Sequence, residues 1–428
     1  MKKKNLTLFL LFVFIGIYSC SDKDENLRAE YNPNEPVKLT TFYPDSGGLG
    51  TKMIIQGSNF GADTSKIRVY FNEKRATIIS AQGDRMYLFA PRLPGDTCIL
   101  SIVVGNDSVT FDKTFQYLKR FNVTTLTVPA TENTNDYFAN TTLDETKLGE
   151  VNCIGVDSLG NIFVANVTGE CTFVNEAENL SINLFKGDKL NAPTVGAGGI
   201  VYIPGDRASE YYELNPEEDW LPRYRLITQP SEPEKQFVLD WKHSFAFNEN
   251  GYVYTAANND REDSQLIRFD VKTRVGEKVA TLRVRNSDTY LYFDPNDHNI
   301  LYMVHTHKHC IYRYYLDTGE QELFAGTEGQ SGWRDGHLQE AEFSGPRQIA
   351  LGPDGFFYVA DEENHCIRQI TPDGYVNTIL GQGGRHGFQD GNPDDALFHR
   401  PRGVALDQEG NIYVTDTNNR SLRKLTMD

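Results

Sequence analysis

Residues 345–374 read GPRQIALGPDGFFYVADEENHCIRQITPDG, and residues 400–428 read RPRGVALDQEGNIYVTDTNNRSLRKLTMD. The similarity extends further, because residues 326–371 align with residues 381–426 without a gap and 18 of 46 positions are identical. Fainter copies of the central unit lie at 153–166, 192–206, 243–258 and 290–305. Strand-rich repeats of roughly 40–55 residues are typical of β-propellers, in which each repeat forms one four-stranded blade. The sequence therefore predicts six blades.

The two strong units resemble NHL repeats, which carry a P.GVA.D..GN.YV.D..N.RI pattern. Here the pattern reads PRGVALDQEGNIYVTDTNNRSL in residues 401–422. The resemblance implies a six-bladed NHL-type β-propeller over residues 119–428. Because the chain ends after the third strand of the last unit, Phe121–Val128 (FNVTTLTV) is expected to supply the fourth strand and leave no open sheet edge.

The segment before the propeller, residues 37–118, has short alternating strands separated by Gly, Pro, Asn and Asp, as in a β-sandwich. The predicted strands are Lys52–Gln56, Lys66–Phe71, Ala76–Ser80, Arg85–Phe89, Cys98–Val104 and Thr110–Gln116. This segment resembles the IPT/TIG immunoglobulin-like family through YPDSGGLGTKMIIQGSNFG, VYFN, LFAPRLPG and FQYL. The predicted fold class is therefore all-β, an IPT/TIG sandwich followed by the propeller. Domains of this family are usually spacers or binding modules.

The N-terminus has the features of a secretory signal. Three lysines precede an apolar run that is too short for a comfortable membrane span. The residues IYSC resemble a bacterial lipobox, which implies that residues 1–19 are removed and that Cys20 is lipidated. The next residues, SDKDEN, resemble the export tag of Bacteroidota surface lipoproteins. We expect a tether over residues 20–36 and an outer-membrane protein, lipid-anchored and exposed at the cell surface; the alternatives are a plain signal peptide and a short anchor helix.

Charge and composition limit the classes of partner. The formal net charge of −17 argues against a nucleic-acid partner, because no basic face is expected to survive it. The cysteines beyond Cys20 are odd in number and scattered, so we expect buried small apolar side chains rather than a disulfide framework. Motifs of serine hydrolases, zinc proteases, P-loop enzymes and C-x-x-C proteins are absent. No catalytic residue and no cofactor is predicted.

The stretch VHTHKHCIYRY (residues 304–314) spaces His305, His307 and His309 as a zinc or copper site on one strand would require. Aligned with the next repeat, however, His309 falls on a histidine and His305 on Asp361. The stretch then spans a turn between two strands, so the imidazoles do not converge. His305 is expected to stand where a side chain can bond turn amides, and no metal site is predicted.

The longest loops are expected to meet on one face of the ring. They lead into blades one, five and six, which are neighbours in a closed ring, and they span Pro129–Glu150, Gly326–Gly345 and Gly381–Arg400. An exposed indole beside an arginine suits stacking on a sugar ring or a planar group, whereas packing within the repeat is the structural alternative. The candidate ligand-binding residues are Trp333, Arg334, Tyr137, Phe138 and His386.

Other polar and aromatic residues are less informative. Trp241 lies in another link between blades, and Trp220 lies between a third and a fourth strand and should face the opposite way. His243 and Asp157 are placed near the channel, but we interpret them as turn residues of the repeat.

Three functions remain open from the sequence. The leading hypothesis is a surface lipoprotein that binds an extracellular ligand, most plausibly a glycan, as an accessory to a nutrient-uptake system, with an outer-membrane transporter as a possible partner. The second is a propeller enzyme, a metal-dependent lyase or lactone hydrolase. The third is a protein–protein adhesion module.

Overall fold

The computed structural model describes residues 30–48, 50–91, 95–130, 140–258 and 262–427. They fall into two compact units, one ending at Lys119 and the other comprising Arg120–Met427. Within the described ranges, no helix is long and apolar enough to cross a membrane. The predicted signal peptide and Cys20 lie outside these ranges.

The first unit is a β-sandwich of two sheets. Their orders are β1-β3-β7-β6 and β2-β9-β8-β4-β5. The strands are β1 (Lys38–Tyr43), β2 (Ser46–Gly47), β3 (Lys52–Ser58), β4 (Ile67–Phe71), β5 (Lys74–Arg75), β6 (Thr77–Gln82), β7 (Arg85–Phe89), β8 (Thr97–Val104) and β9 (Asp107–Tyr117).

Alternation explains why these segments pair as they do. In β8 every second residue, from Cys98 to Val104, is fully buried, while the residues between them face outward. The buried side chains of both sheets form one core, in which Phe42 packs edge-on against Phe111 and Phe71 against Phe115. This apolar filling stabilises the sandwich as a separate unit.

The second unit contains six sheets, which we number as blades 1 to 6. Blade 1 holds β11 (Val151–Val156), β12 (Ile162–Asn166), β13 (Glu170–Asn175) and β14 (Leu180–Lys186). Blade 2 holds β15 (Thr194–Val195), β16 (Val201–Pro204), β17 (Glu210–Leu214) and β18 (Pro222–Leu226). Blade 3 holds β19 (Ala246–Phe247), β20 (Tyr252–Ala257), β21 (Gln265–Asp270) and β22 (Gly276–Thr281).

Blades 4 to 6 follow the same plan. Blade 4 holds β23 (Thr289–Phe293), β24 (Ile300–His305), β25 (Cys310–Tyr315) and β26 (Gln321–Gly326). Blade 5 holds β27 (Gly336–His337), β28 (Pro346–Leu351), β29 (Phe357–Asp361), β30 (Cys366–Ile370) and β31 (Tyr375–Leu380). Blade 6 holds β32 (Pro401–Leu406), β33 (Ile412–Asp416) and β34 (Ser421–Met427), with β10 (Phe121–Thr125) as its outer strand. Short 3-10 turns lie at Thr64–Lys66, Ala197–Gly199, Pro216–Glu218, Pro233–Lys235, Thr306–Lys308 and Glu362–Asn364.

Blade 6 is built from both ends of the unit. Strand β10 pairs antiparallel with β34, from Phe121 opposite Met427 to Thr125 opposite Arg423. The strand ends at Thr125, earlier than the Phe121–Val128 expected from the sequence: Leu126 still donates to Leu422 of β34, but Val128 donates to Thr146 instead. Val123 is buried in the apolar cluster of this blade.

The first strand of each blade faces the axis of the ring. These strands line a cavity of about 230 Å³, to which every blade contributes. One lining residue from each blade is Ile154, Val195, Phe245, Leu291, Ile349 and Val404. The wall also contains the polar side chains of Thr194, Ser244 and Gln348.

Blades 5 and 6 each contain a buried arginine–aspartate ion pair at the same position of the repeat. Arg368 lies 3.0 Å from Asp361, and Arg423 lies 2.8 Å from Asp416, with all four side chains fully buried. Each arginine also bonds an aspartate of the preceding link, Asp335 for Arg368. Each link is thereby fixed to the blade that follows it.

The link before blade 5 contributes a strand that the sequence did not predict. Gly336 and His337 form β27, which pairs with Val376 and Tyr375 at the outer edge of the blade. Two residues are too few to show a period-2 pattern, so no sequence signal marks this strand.

Candidate functional site

The structure places three of the five candidate ligand residues on links between blades. Trp333 and Arg334 lie between blades 4 and 5, and His386 lies between blades 5 and 6. Tyr137 and Phe138 lie outside the described residues.

Trp333 is held in place but only half covered. Its Nε1 donates a hydrogen bond of 3.0 Å to Thr378 Oγ1, and 51% of the residue is exposed. The ring lies on Gly383, where any β-carbon would collide with the indole. A fixed, half-exposed indole loses little entropy when a ligand stacks on it.

Arg334 is engaged within its own loop. Its guanidinium lies 2.9 Å from Glu342, and its carbonyl accepts a bond of 2.9 Å from Arg368. The charge beside Trp333 is therefore already matched by a carboxylate.

His386 belongs to a cluster of three imidazoles. Its ring stacks on His399 at 4.5 Å between centroids with an angle of 21°, and lies 5.4 Å from His365. His386 is exposed, whereas the other two are half-buried. The sequence showed three separated histidines and gave no sign that the link before blade 6 brings His386 and His399 to His365 in the turn between β29 and β30.

The three histidines of residues 304–314 are divided between strand and turn. His305 ends β24, His307 lies in the 3-10 turn and His309 precedes β25. The expectation that His305 bonds turn amides is wrong: its side chain makes no cap, and Nδ1 lies 3.1 Å from Thr289 Oγ1. Burial, with a smaller contribution from Lys308, lowers the pKa of His305 to about 3, so the ring is a neutral part of the interior.

His309 has a structural role that recurs one blade later. Its Nδ1 accepts the backbone N–H of Gly345 at 3.0 Å, and His365 accepts that of Arg400 at 3.1 Å. Both histidines have positive φ, 57° and 58°. The turn therefore aims the imidazole at the first strand of the next blade and joins neighbouring blades.

A polar cavity of about 320 Å³ opens where links enter blades 2, 3 and 4. Its wall contains residues that precede first strands or follow second strands, which by topology share one end of the ring. We call this cavity the channel mouth; its lining includes Lys189, Asp206, Trp241, His243, Asn258 and Asp288. None of these residues is among the candidates proposed from the sequence.

Trp241 and Asn258 form the wall nearest blade 3. Their backbones exchange hydrogen bonds of 3.1 and 2.9 Å, which fixes the half-buried indole at the mouth. Asn258 is 3% exposed, and its Nδ2 donates to Ser287 O at 2.6 Å. Its Oδ1 is buried without a hydrogen-bond partner. A buried acceptor left unpaired costs free energy, so a donor from a ligand or water is expected at this point.

His243 and Asp288 face each other across the same cavity. His243 Nε2 lies 3.2 Å from Asp288 Oδ1. Burial lowers the pKa of His243 against the attraction of Asp288, so the neutral ring donates from Nε2 to Asp288 and accepts at Nδ1 from Asn258 Nδ2 at 3.5 Å. Burial also acts to raise the pKa of Asp288, but the facing His243 and Arg347 outweigh it and hold the pKa below its usual value. Asp288 is therefore ionised at neutral pH.

A chain of alternating charges leads from the channel mouth toward blades 5 and 6. Arg347 lies 3.1 Å from Asp288 and also bonds Glu362. Glu362, although 1% exposed, is ionised, because the guanidinium groups around it offset the effect of burial and lower its pKa. It lies 2.9 Å from Arg402 and 3.1 Å from Arg400. The network is paired throughout, so it shapes the surface without adding a large net charge.

We interpreted both Asp157 and His243 as turn residues of the repeat, and the structure agrees with this for Asp157. The Asp157 carboxylate accepts the N–H groups of Leu159 and Asn161 within a strand turn. His243, in contrast, lies at the channel mouth. Trp220 packs against Phe163 and Phe173, away from any link between blades.

The described residues contain no group of three or more His, Cys, Asp or Glu side chains arranged to hold a metal ion. The five cysteines beyond the N-terminus are buried free thiols, and burial raises the pKa of Cys98 to about 11. The His243–Asp288 pair is the arrangement at the channel mouth that could exchange a proton with a bound molecule.

Comparison with known families agrees with a sandwich domain followed by a repeat-built propeller. The IPT/TIG domain family matches residues 36–117, and the NHL repeat matches residues 343–370 and 398–425. Together with the six sheets, these matches confirm the predicted fold class, an immunoglobulin-like β-sandwich followed by a six-bladed NHL-type propeller.

Solved structures resemble the chain over nearly its whole length. A Bacteroides thetaiotaomicron protein of unknown function has a TM-score of 0.74 and 27% identity, over 94% of this chain and 100% of that one. An auxiliary nutrient binding protein of the same species has a TM-score of 0.63 and 25% identity, over 93% and 99%. Another, from Bacteroides ovatus, has a TM-score of 0.66 and 22% identity, over 94% and 100%, and shows the fold alone.

Curated relatives match part of this chain and a small part of their own, longer chains. Protein SUPPRESSOR OF QUENCHING 1 of Arabidopsis thaliana is 28% identical over 210 residues, 42% of this chain and 20% of that protein. NHL repeat-containing protein 2 of Bos taurus is 30% identical over 148 residues, 29% of this chain and 20% of that protein. The chain thus spans about a fifth of the length of the curated relatives it matches.

Proposed function

We propose that the protein captures an extracellular nutrient, a neutral glycan, at the channel mouth of its propeller. The observation that carries this proposal is the cavity of about 320 Å³ in which Trp241, the His243–Asp288 pair and the unpartnered Oδ1 of Asn258 meet. Ligand sites in proteins are typically concave, with a few polar groups that fix orientation.

The chemistry of the channel mouth suits a sugar. Each hydroxyl of a sugar both donates and accepts hydrogen bonds, so a site for it needs groups of both kinds. Asp206 and Asn258 offer acceptors, and Lys189 offers donors. An indole face covers the apolar C–H side of the ring. The formal net charge of −17 also favours a neutral over an anionic ligand.

The similarity to solved structures supports the same role. The auxiliary nutrient binding protein of Bacteroides thetaiotaomicron, 25% identical to this chain, shares the order of domains over 93% of it. By this similarity we infer a nutrient-binding accessory in the cell envelope, with an outer-membrane transporter as its partner.

The inferred location is the outer membrane, with a lipid on Cys20 and the folded units outside the cell. We expect Cys20→Ala to move most of the protein from the membrane fraction into the soluble fraction, because one residue carries the anchor. Cell fractionation measures this change, and proteinase applied to intact cells tests display. Unchanged membrane retention of Cys20→Ala would contradict the lipid anchor, and resistance to proteinase until lysis would contradict surface display.

Trp241→Ala is expected to weaken glycan binding roughly tenfold or more, since stacking on an indole contributes about 1–2 kcal/mol. Calorimetric titration of malto-, cello-, xylo- and manno-oligosaccharides against both proteins measures the effect. Tyr224→Ala, which removes an exposed aromatic from the outer strand β18, serves as the matched control and should bind like the wild type. Equal affinities of wild type and Trp241→Ala for a glycan that binds would place the site elsewhere.

A second candidate function is catalysis, favoured by the His243–Asp288 pair. A neutral histidine oriented by an ionised aspartate is a common general base. Turnover of a bound glycan or lactone that His243→Gln abolishes would favour the enzyme over the binding protein. Capture of a protein ligand with no glycan binding would favour an adhesion module.

A further inference from the structure

Trp333 contacts the next link as well as its own blade. In blade 6 the equivalent residue, Phe388, lies 4.7 Å from the Arg423 guanidinium and is 44% exposed. In blade 5 the equivalent arginine, Arg368, covers Phe343 at 5.0 Å. Trp333 bonds Thr378 of its own blade, lies on Gly383 of the next link and is 51% exposed. The larger ring therefore forms an exposed platform that extends from blade 5 to the next link.

The surface under Trp333 is a tight turn that also carries His386. Residues Gln382 to Arg385 form the turn, in which the Arg385 N–H donates to the Gln382 carbonyl at 2.9 Å. Gly383 lies beneath the indole, and His386 follows the turn directly. The exposed imidazole of His386 therefore lies three residues along the chain from the glycine beneath the indole.

Within the imidazole cluster, His365 offers an uncharged donor rather than a metal ligand. His365 Nδ1 already accepts the Arg400 N–H, so the neutral ring carries its proton on Nε2 and has no lone pair there for a metal. Burial, and then the neighbouring His399 and His386, lower the pKa of His365 to about 4. The ring is therefore neutral at pH 7, and such N–H groups suit hydroxyl oxygens.

A chain of ion pairs leads from the channel mouth toward this surface. Asp288 lines the mouth and bonds Arg347, which bonds Glu362. Glu362 in turn bonds Arg400, which follows His399 in the sequence. The ion pairs therefore join the link before blade 4 to the link before blade 6.

We propose that the ligand is an oligosaccharide, with one sugar at the channel mouth and a further sugar stacked on Trp333 beside His386. The inference rests on the proposed glycan-binding function and adds a second subsite to it. A monosaccharide would use the channel mouth alone.

The test is how affinity changes with chain length. We expect the wild type to bind the hexasaccharide of the recognised series, among malto-, cello-, xylo- and manno-oligosaccharides, about tenfold more tightly than its monosaccharide. Trp333→Ala should lose this gain, with a tenfold loss for the hexasaccharide and less than a twofold loss for the monosaccharide. Trp241→Ala should weaken every length.

Phe388→Ala is the matched control, since it removes the ring at the equivalent repeat position. It should lower thermal stability and keep the dependence on length. A wild type that binds all lengths equally, or a Trp333→Ala variant that weakens all lengths equally, would overturn the second subsite and leave the channel mouth intact. Failure of every series to bind would overturn the glycan-binding function and this inference with it.

Discussion

A chain shortened to begin at Pro129 is expected to aggregate, whereas a chain that begins at Lys119 is expected to fold cooperatively. The two differ by strand β10, which forms five paired positions with β34 and buries Val123 in blade 6. Without β10, the outer edge of β34 exposes unpaired backbone groups, and exposed edges pair with other chains. The loss of one blade edge also weakens the closure on which every blade depends.

Soluble yield and size-exclusion elution measure the outcome, and urea unfolding of the longer chain measures its cooperativity. Both chains lack the sandwich, so the loss of the sandwich cannot account for a difference between them. Equal solubility and equal unfolding midpoints of the two chains would contradict closure of the ring by β10.

Arg368→Met is expected to cost about 3–5 kcal/mol of unfolding free energy. The substitution leaves the fully buried Asp361 carboxylate without its cation, and an uncompensated buried charge is among the most destabilising changes in a protein. It also removes one of the bonds to Asp335, which Thr378 still holds, and so weakens the attachment of the link that carries Trp333. Urea unfolding followed by intrinsic fluorescence measures the change.

Arg334→Met provides the matched control for this substitution. Its ion pair with Glu342 is 2.9 Å long but exposed on the arginine side, and such pairs contribute about 0–1 kcal/mol. Arg423→Met should repeat the large loss in blade 6, because Arg423 pairs with the buried Asp416. Similar losses of unfolding free energy for Arg334→Met and Arg368→Met would show that burial of the ion pair does not determine the loss.

The fold class could be predicted from the sequence because the weak strand pattern of one unit becomes clear when six units repeat it. A single unit such as residues 192–206 shows little, but six units at a regular spacing indicate blades. The role of His305, which stands in blade 4 where blade 5 has Asp361, could not be predicted from the repeats. In blade 4 the ring of His305 lies 5.6 Å from Tyr312, so a neutral pair occupies the place of the charged one.

The candidate site was predicted only in part, for a physical reason. Loop length and an exposed tryptophan pointed to Trp333, which does lie half-exposed on the structure. The channel mouth collects residues that precede first strands or follow second strands in different blades, and the residue types at these places, such as Trp241, Asn258 and Asp288, differ from blade to blade. Their proximity is a consequence of ring closure, which a sequence alignment of repeats does not encode.

The polar chain between the two surfaces has a further consequence for binding. Every carboxylate in it faces a guanidinium, so a neutral ligand meets a surface that needs no counter-ion. Affinity then comes from stacking and from directed hydrogen bonds, and we expect it to depend little on salt.

The central claim is that the channel mouth holds the ligand, and a crystal structure of the protein with a bound oligosaccharide tests it most directly. We predict a sugar ring against the Trp241 indole, with a hydroxyl within hydrogen-bond distance of the Asn258 Oδ1 that lacks a partner. An oligosaccharide seated only on the sandwich or on the outer edges of the blades, with the channel mouth occupied by solvent, would contradict the claim.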